Sequence, residues 1–470
     1  MSSDSKAITK LKKRSSKWPW ETGLNGFKNQ LLQVLPASLI LFLLRNTLVE
    51  SDYKLKRESI KFFKFSVMAY GANKRRRCHR LLVIAFALND RHFDVNYVAL
   101  IRNAVRATLE RTENRRNFSE SILEATKNLK ISTLDATGWY QLSRGLFSLG
   151  YFRAAWVARE NSLDSSISEA ILTDSSSTSL IRGIQAYLER VNLFEAKKIV
   201  EDKRDQLPAK YLASIQNFVS SLERSHIYWS KVDGSHKRNG EDLFKDLITD
   251  KTVAVVGPGA PPDDYGLEID NFDIVIRIKF IGSEIVDLDN RHGTRTDVSF
   301  IAAIDAIKLQ EKELQKSFSN IRLIISNHTL VNSICSVPIY EIEDDSFLYR
   351  TPTTSGIRVL YETLKFSPSR VKVFGFDFYS TLTPYSKEMT EFYEKSAWRF
   401  GHPNDFVADG VYFKFMRALD FSEHDPVSNF CFAQNLYKAG RFDIEPYGKS
   451  ILELTPYQYV ERLEEMLGDW

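Results

Sequence analysis

The stretch Val253-Ala254-Val255-Val256-Gly257-Pro258-Gly259 is the clearest structural signal in the chain. A β-branched apolar run that breaks at Gly-Pro-Gly is a buried strand feeding a tight loop. Downstream of it, strand-like runs recur at 274–280, 298–302, 321–325 and 371–376. Helical periodicity falls between or after them, near 304–316, 355–366, 386–399, 427–439 and 455–467. Strands alternating with helices predict an α/β fold, a Rossmann-like, mainly parallel sheet with helices on both faces. In such a sheet a ligand sits in the crevice outside the carboxyl ends of the strands, so the Gly-Pro-Gly loop marks where chemistry is expected.

Upstream the texture is different. Residues 1–24 form a polar, basic leader, and 25–228 read as an all-α domain, with apolar residues at three- and four-residue spacing and little strand-like alternation. From 139 to 160 the pattern is a helical hairpin: Trp139, Leu142 and Leu146 on one helix, Gly150 at the turn, Ala154, Ala155 and Ala158 on the next. The small residues let the partner helix approach closely. The unit is similar to a tetratricopeptide hairpin, with a degenerate second copy over 181–200. A polar, Gly-bearing linker spans 229–245, and the α/β domain runs from 246 to 470.

The chain of 470 residues is 43% apolar and 26% charged, the composition of an ordinary globular protein. Its net charge of +4 is uneven. Residues 1–130 hold 26 Lys and Arg against 11 Asp and Glu, a net +15, which leaves −11 for the remainder. The basic cluster Lys74-Arg75-Arg76-Arg77-Cys78-His79-Arg80 lacks interleaved aromatics, so an anionic surface such as phospholipid fits it better than nucleic acid. The apolar run 31–44 is 14 residues long and contains Pro36, short of the about 20 needed to span a bilayer. Together with the basic leader it leaves peripheral membrane contact open. Cys78, Cys335 and Cys431 show no disulfide or metal spacing and fit a reducing compartment. The expected location is cytoplasmic, with peripheral attachment at the inner face of the membrane as a variant.

Gly257-Pro258-Gly259 lacks the third glycine and the following helix of a dinucleotide fingerprint, and no lysine-bearing phosphate loop is present, which disfavours hydride transfer. Asp425 is a good N-cap and Pro426 fits the first helical position, so His424 stands just before a helix N-terminus. The positive end of the helix dipole disfavours imidazolium there, and a neutral imidazole suits a general base; packing or capping is the competing reading. Ser355-Gly356 opens another helix and offers backbone N–H groups to an anion, or is an ordinary cap. Arg277, inside a strand, binds a ligand or pairs with Asp270 or Asp273. Asp287-Leu288-Asp289 superficially matches the Asp-x-Asp of metal-dependent transferases but follows no clear strand, and His292, His328 and His402 are too scattered for a metal set.

Several blocks together resemble the sialyltransferase family defined by large, small, third and very small motifs. The large motif matches Ala254-Val255-Val256-Gly257, Tyr265-Gly266-Leu267-Glu268-Ile269-Asp270, Phe272-Asp273-Ile274-Val275-Ile276-Arg277 and Gly293-Thr294-Arg295-Thr296. The small motif matches Pro352-Thr353-Thr354-Ser355-Gly356 followed by Val371-Lys372-Val373-Phe374-Gly375-Phe376-Asp377, and the very small motif matches His424-Asp425-Pro426. Pro258 and Lys279 stand where the family usually has Asn, Asn429 where it has an acid, and the cysteines of its inter-motif disulfide are missing from both blocks, as in a bacterial-type relative. Tyr412 is the nearest counterpart of the third motif.

The resemblance implies a sialyltransferase-like variant of the GT-A fold. It implies inverting, metal-independent transfer of sialic acid, or a related nonulosonate or Kdo, from a CMP-activated donor to a glycan hydroxyl, with no cofactor beyond that donor. His424 would be the base. Gly257, Pro258, Gly259, Arg277, Lys279, Thr354, Ser355, Gly356, Asp377 and Tyr412 would form the donor site. Two alternatives stand beside it: a docking protein with a degenerate nucleotide fold, and a transferase using a UDP-sugar.

Overall fold

The computed structural model describes residues 115–148, 150–172, 175–222, 240–259, 263–279, 291–302, 321–326, 337–342, 348–381 and 424–467. The chain divides into compact units 1–107 and 108–470, and all described residues belong to the second. The basic leader, the run 31–44, the cluster 74–80, Cys78, Cys335, Asp287, Asp289, His328, His402 and Tyr412 lie outside them. So do the helical stretches expected at 304–316 and 386–399, and 229–239 of the linker.

Helices come first: α1 (Arg115–Lys127), α2 (Ala136–Ser148), α3 (Phe152–Ala170), α4 (Ser177–Glu189), α5 (Leu193–Asp202) and α6 (Ala209–Leu222). The hairpin read from sequence is α2 and α3, turned by Gly150 at φ 81. Trp139, Leu142, Leu146, Ala154, Ala155 and Ala158 are all buried. α4 and α5 follow as a second pair. Gly183 on α4 lies so close to α3 that a Cβ would come within 2.3 Å of Ala170 Cβ.

Then come α7 (Glu241–Ile248), β1 (Thr252–Val256), α8 (Gly266–Asp270), β2 (Ile274–Ile278), β3 (Val298–Ile301), β4 (Leu323–Ser326), β5 (Ile339–Glu341) and α9 (Ser355–Leu364). The chain ends with β6 (Arg370–Phe374), α10 (Pro426–Lys438), β7 (Asp443–Ile444), α11 (Pro446–Leu452) and α12 (Pro456–Leu467). The seven strands form one sheet in the order β5-β4-β3-β2-β1-β6-β7, every pair parallel. Strands β1 to β4 are buried nearly throughout, which is why they read as continuous apolar runs rather than alternating ones. Ile269 of α8 and Phe272 just after it pack on Ala254, Val256, Val275 and Phe374. β5, β7, α8 and α11 are too short to give a periodic signal.

The helices α1–α6 do not stand apart from the sheet half. Leu163 of α3 and Ala186 of α4 share a core cluster with Tyr349. Phe218 of α6 stacks on Phe432 of α10, ring centroids 5.1 Å apart. Among the described residues no helix is long and apolar enough to cross a membrane.

Candidate functional site

From β1 the sheet grows one way through β2 to β5, and then the chain returns to add β6 on the other side of β1. The order therefore reverses between β1 and β6. In parallel α/β sheets the crevice outside the carboxyl ends at such a switch point is the usual ligand site. Gly257 and Gly259 end β1, and Gly375, Phe376 and Asp377 end β6.

The two loops lie against each other. A Cβ on Gly257 would fall 2.5 Å from Gly375 O, and one on Gly259 would fall 2.7 Å from the same oxygen. Gly375 has φ +66, a conformation that only glycine adopts cheaply. The Phe376 ring fills the space beside Gly257 and reaches α9, where a Cβ on Gly356 would sit 2.5 Å from its Cε1. These glycines are thus required by close packing between the β1 loop, the β6 loop and α9. Beyond them Phe378 and Tyr379 both have positive φ, 47° and 64°, unusual for bulky residues and typical of functional turns. Asp377 organises that turn by accepting from Tyr379 N at 3.0 Å and from the Thr381 hydroxyl.

α9 begins at the N-cap Thr354, whose side chain makes no capping bond. α10 begins at Asp425, with Pro426 at its first position, as the sequence indicated; Asp425 Oδ1 accepts from Val427 N at 2.9 Å and Ser428 N at 3.2 Å. The two helix starts are tied together. Asn429 Oδ1 accepts from Thr354 N at 2.8 Å, and Asn429 Nδ2 donates to Asp425 O at 2.9 Å. Asp425 N donates to Thr351 Oγ1 at 3.0 Å. His424 thus precedes α10 beside the open N-terminus of α9.

The helical layer holds this turn from behind. Arg144 Nη1 donates to His424 O at 2.7 Å. Arg159 Nε donates to Asp425 Oδ2 at 2.9 Å, and its other nitrogens reach Glu189 and Ser428 Oγ. Burial works against the Arg159 charge, but Asp425 and Glu189 outweigh it and hold the guanidinium firmly protonated. Nothing local in the sequence marks Arg144, Arg159 or Thr351, because the His424 and Asp425 groups they hold lie 74 to 280 residues away.

Asp270, Arg277 and the segment 292–296 form a clamp. Asp270 accepts from Thr294 N, Thr294 Oγ1 and Arg295 N, at 2.9–3.0 Å. Burial alone would raise the Asp270 carboxyl, yet these donors hold it below the usual carboxylate range. Arg277, 3% exposed, donates Nε to Arg295 O and Thr296 Oγ1 at 2.9 Å and Nη2 to His292 O at 2.7 Å. Burial lowers its pKa to about 10, with Asp270 pulling the other way. Its guanidinium is therefore engaged in fixing 292–296 to the sheet. His292 in turn sits with Nε2 3.2 Å from Gly259 O, which braces the Gly-Pro-Gly loop. Lys279 ends β2 in the left-handed region at φ 62, a conformation Asn tolerates well.

One carboxyl on this edge was not singled out by sequence. Glu445 follows β7 and caps α11, accepting from Gly448 N at 2.6 Å. Burial pushes its pKa up to about 7 against the pull of the Gly448 and Gly375 N–H groups and Lys372. Its only sequence signal is an acid before Pro446, the same pattern as Asp425-Pro426. Among the described residues no group of three or more His, Cys, Asp or Glu could hold a metal ion.

No protein-family model matches the chain, and no curated protein matches it.

Proposed function

We propose that residues 246–470 transfer sialic acid, or a related nonulosonate or Kdo, from a CMP-activated donor to a glycan hydroxyl, with inversion and without a metal. The observation that carries this reading is the pairing of the α9 and α10 N-termini through Asn429, with His424 at one of them, beside the β1–β6 switch point. His424 accepts the proton of the acceptor hydroxyl while that oxygen bonds to the anomeric carbon. The bond from that carbon to the CMP phosphate breaks, and its electron pair leaves with CMP. Free N–H groups in the first turn of α9 suit the departing phosphate or the sugar carboxylate. Lys279 at the end of β2 supplies positive charge to the same edge.

A second reading is favoured by the packing of Gly257, Gly259 and Gly356 against Gly375 and Phe376. Glycines occupied by internal contacts suit a docking protein whose nucleotide fold no longer binds donor. Calorimetric titration of the full chain with CMP and UDP separates the readings. Micromolar binding of CMP supports the transferase, binding of UDP alone points to another nucleotide-sugar donor, and silence with both supports the docking protein. Release of CMP from a panel of CMP-activated acids then identifies the donor.

A further inference from the structure

We propose that Arg182 and Arg350, with the Thr137 hydroxyl between them, form a binding site for a small oxyanion group, phosphoryl or carboxylate. Arg182 Nη1 and Arg350 Nη1 each donate to Thr137 Oγ1 at 3.1 Å. Two cations thus converge on one neutral oxygen. Among the described residues neither guanidinium has a carboxylate ion-pair partner. Arg350 Nε and Nη2 are buried with no hydrogen-bond acceptor at all. A guanidinium presents its donors as a planar fork matched to two oxygens of one anion, so a vacant Nε–Nη2 edge is the recognition edge.

The nearby acids are committed elsewhere. Asp135 Oδ1 accepts from Gly138 N at 2.6 Å and Glu169 Oε1 from Ala136 N at 3.1 Å, both at the start of α2. Burial, and next the neighbouring Arg350, lower the Arg182 pKa, and the pull of Tyr349, Glu169 and Asp135 in the other direction does not offset them. Arg350 is also held rigidly. Its guanidinium carbon lies 5.6 Å from the Tyr140 ring centroid and 5.5 Å from that of Tyr349, and its carbonyl accepts from Tyr140 Oη at 3.2 Å. Its backbone sits at φ 56, in the left-handed region. Ring contacts stabilise the charge but satisfy no N–H. The site is independent of the glycosyl-transfer reading, although Thr351, the next residue, receives Asp425 N and so joins it to the His424 turn.

The test titrates the full chain with inorganic phosphate and, separately, acetate, at constant ionic strength set by NaCl. Binding is read by calorimetry, by Tm and by the tyrosine near-ultraviolet circular dichroism. Saturable binding with a rise in Tm and a change in the tyrosine signal is expected, weakened at least tenfold in Arg350→Met and in Arg182→Met. A response to phosphate alone assigns a phosphoryl ligand, and one to acetate alone a carboxylate. Absence of saturable binding in the unaltered chain overturns the site. So does binding that leaves the tyrosine signal unmoved, or that persists unweakened in whichever variants fold.

Discussion

Arg159 of α3 and Asp425 at the N-cap of α10 form an ion pair at 2.9 Å in which both side chains are completely buried, 266 residues apart in sequence. Glu189 of α4 completes the group, bonded to the same guanidinium and to Ser428 Oγ at 2.9 Å. The turn carrying His424 is thereby anchored in the helical layer rather than in the sheet alone.

Removing the cation leaves two buried carboxylates uncompensated. Arg159→Met is expected to cost about 3–5 kcal/mol of stability, as breaking a buried pair does. Urea unfolding measures it. Adding Glu189→Leu and Asp425→Asn to the same chain removes the stranded charges and is expected to recover most of the loss.

His424→Ala is expected to lower turnover about 10²–10³-fold, the usual consequence of deleting one well-placed transition-state interaction. Tm changes little, because the cap of α10 is made by Asp425 and not by His424. CMP release in the presence of acceptor is the readout. Near-normal turnover in a folded variant removes His424 from the general-base role.

Asn429→Ala strands the buried N–H of Thr354, while the Asp425 carbonyl loses the side-chain donor and keeps the backbone N of residue 429 at 3.3 Å. An unsatisfied buried polar group costs about 1–3 kcal/mol, and unfolding by urea should show a loss of that size. Asn429→Asp keeps an acceptor for Thr354 N but turns a second acceptor toward Asp425 O in a buried place, so it is expected to lose at least as much. In both variants KM for the donor should rise, since the start of α9 is no longer fixed to α10.

The pH dependence follows from Glu445. Its pKa is raised to about 7 in the fold from an ordinary 4.5. Below pH 4.5 both folded and unfolded chains are protonated there and the group is neutral to stability. As pH rises to 7 the unfolded chain ionises first, so stability falls, by at most about 3 kcal/mol at about 1.4 kcal/mol per pH unit. Glu445→Gln abolishes that fall. The stability difference between variant and parent, measured by urea at pH 4.5, 6, 7 and 8, is expected to grow toward high pH in favour of the variant. A difference flat with pH removes Glu445 as its cause.

Local chemistry made much of this legible. A fully buried parallel strand must be apolar along its length, so β1 to β4 stand out as runs, and β6 shows through its alternating buried Val371 and Val373. Asp425-Pro426 announces a helix start because N-cap and first-turn preferences are set by backbone geometry over three residues. The α2–α3 hairpin was visible for the same reason, through alanines at helical spacing and one glycine at the turn.

The class of fold, the order of its main elements and the places where three loops carry unusual residues can be read from the order of amino acids. Tertiary structure alone decided what those residues do. It spent Arg277 on the carbonyls of 292–296, pressed Gly257 and Gly259 onto Gly375, and brought Arg144 and Arg159 up to the His424 turn. Element formation depends on neighbours a few residues away, which a sequence displays. Side-chain partnership depends on which distant surfaces the folded core brings within 3 Å, and no local pattern records that.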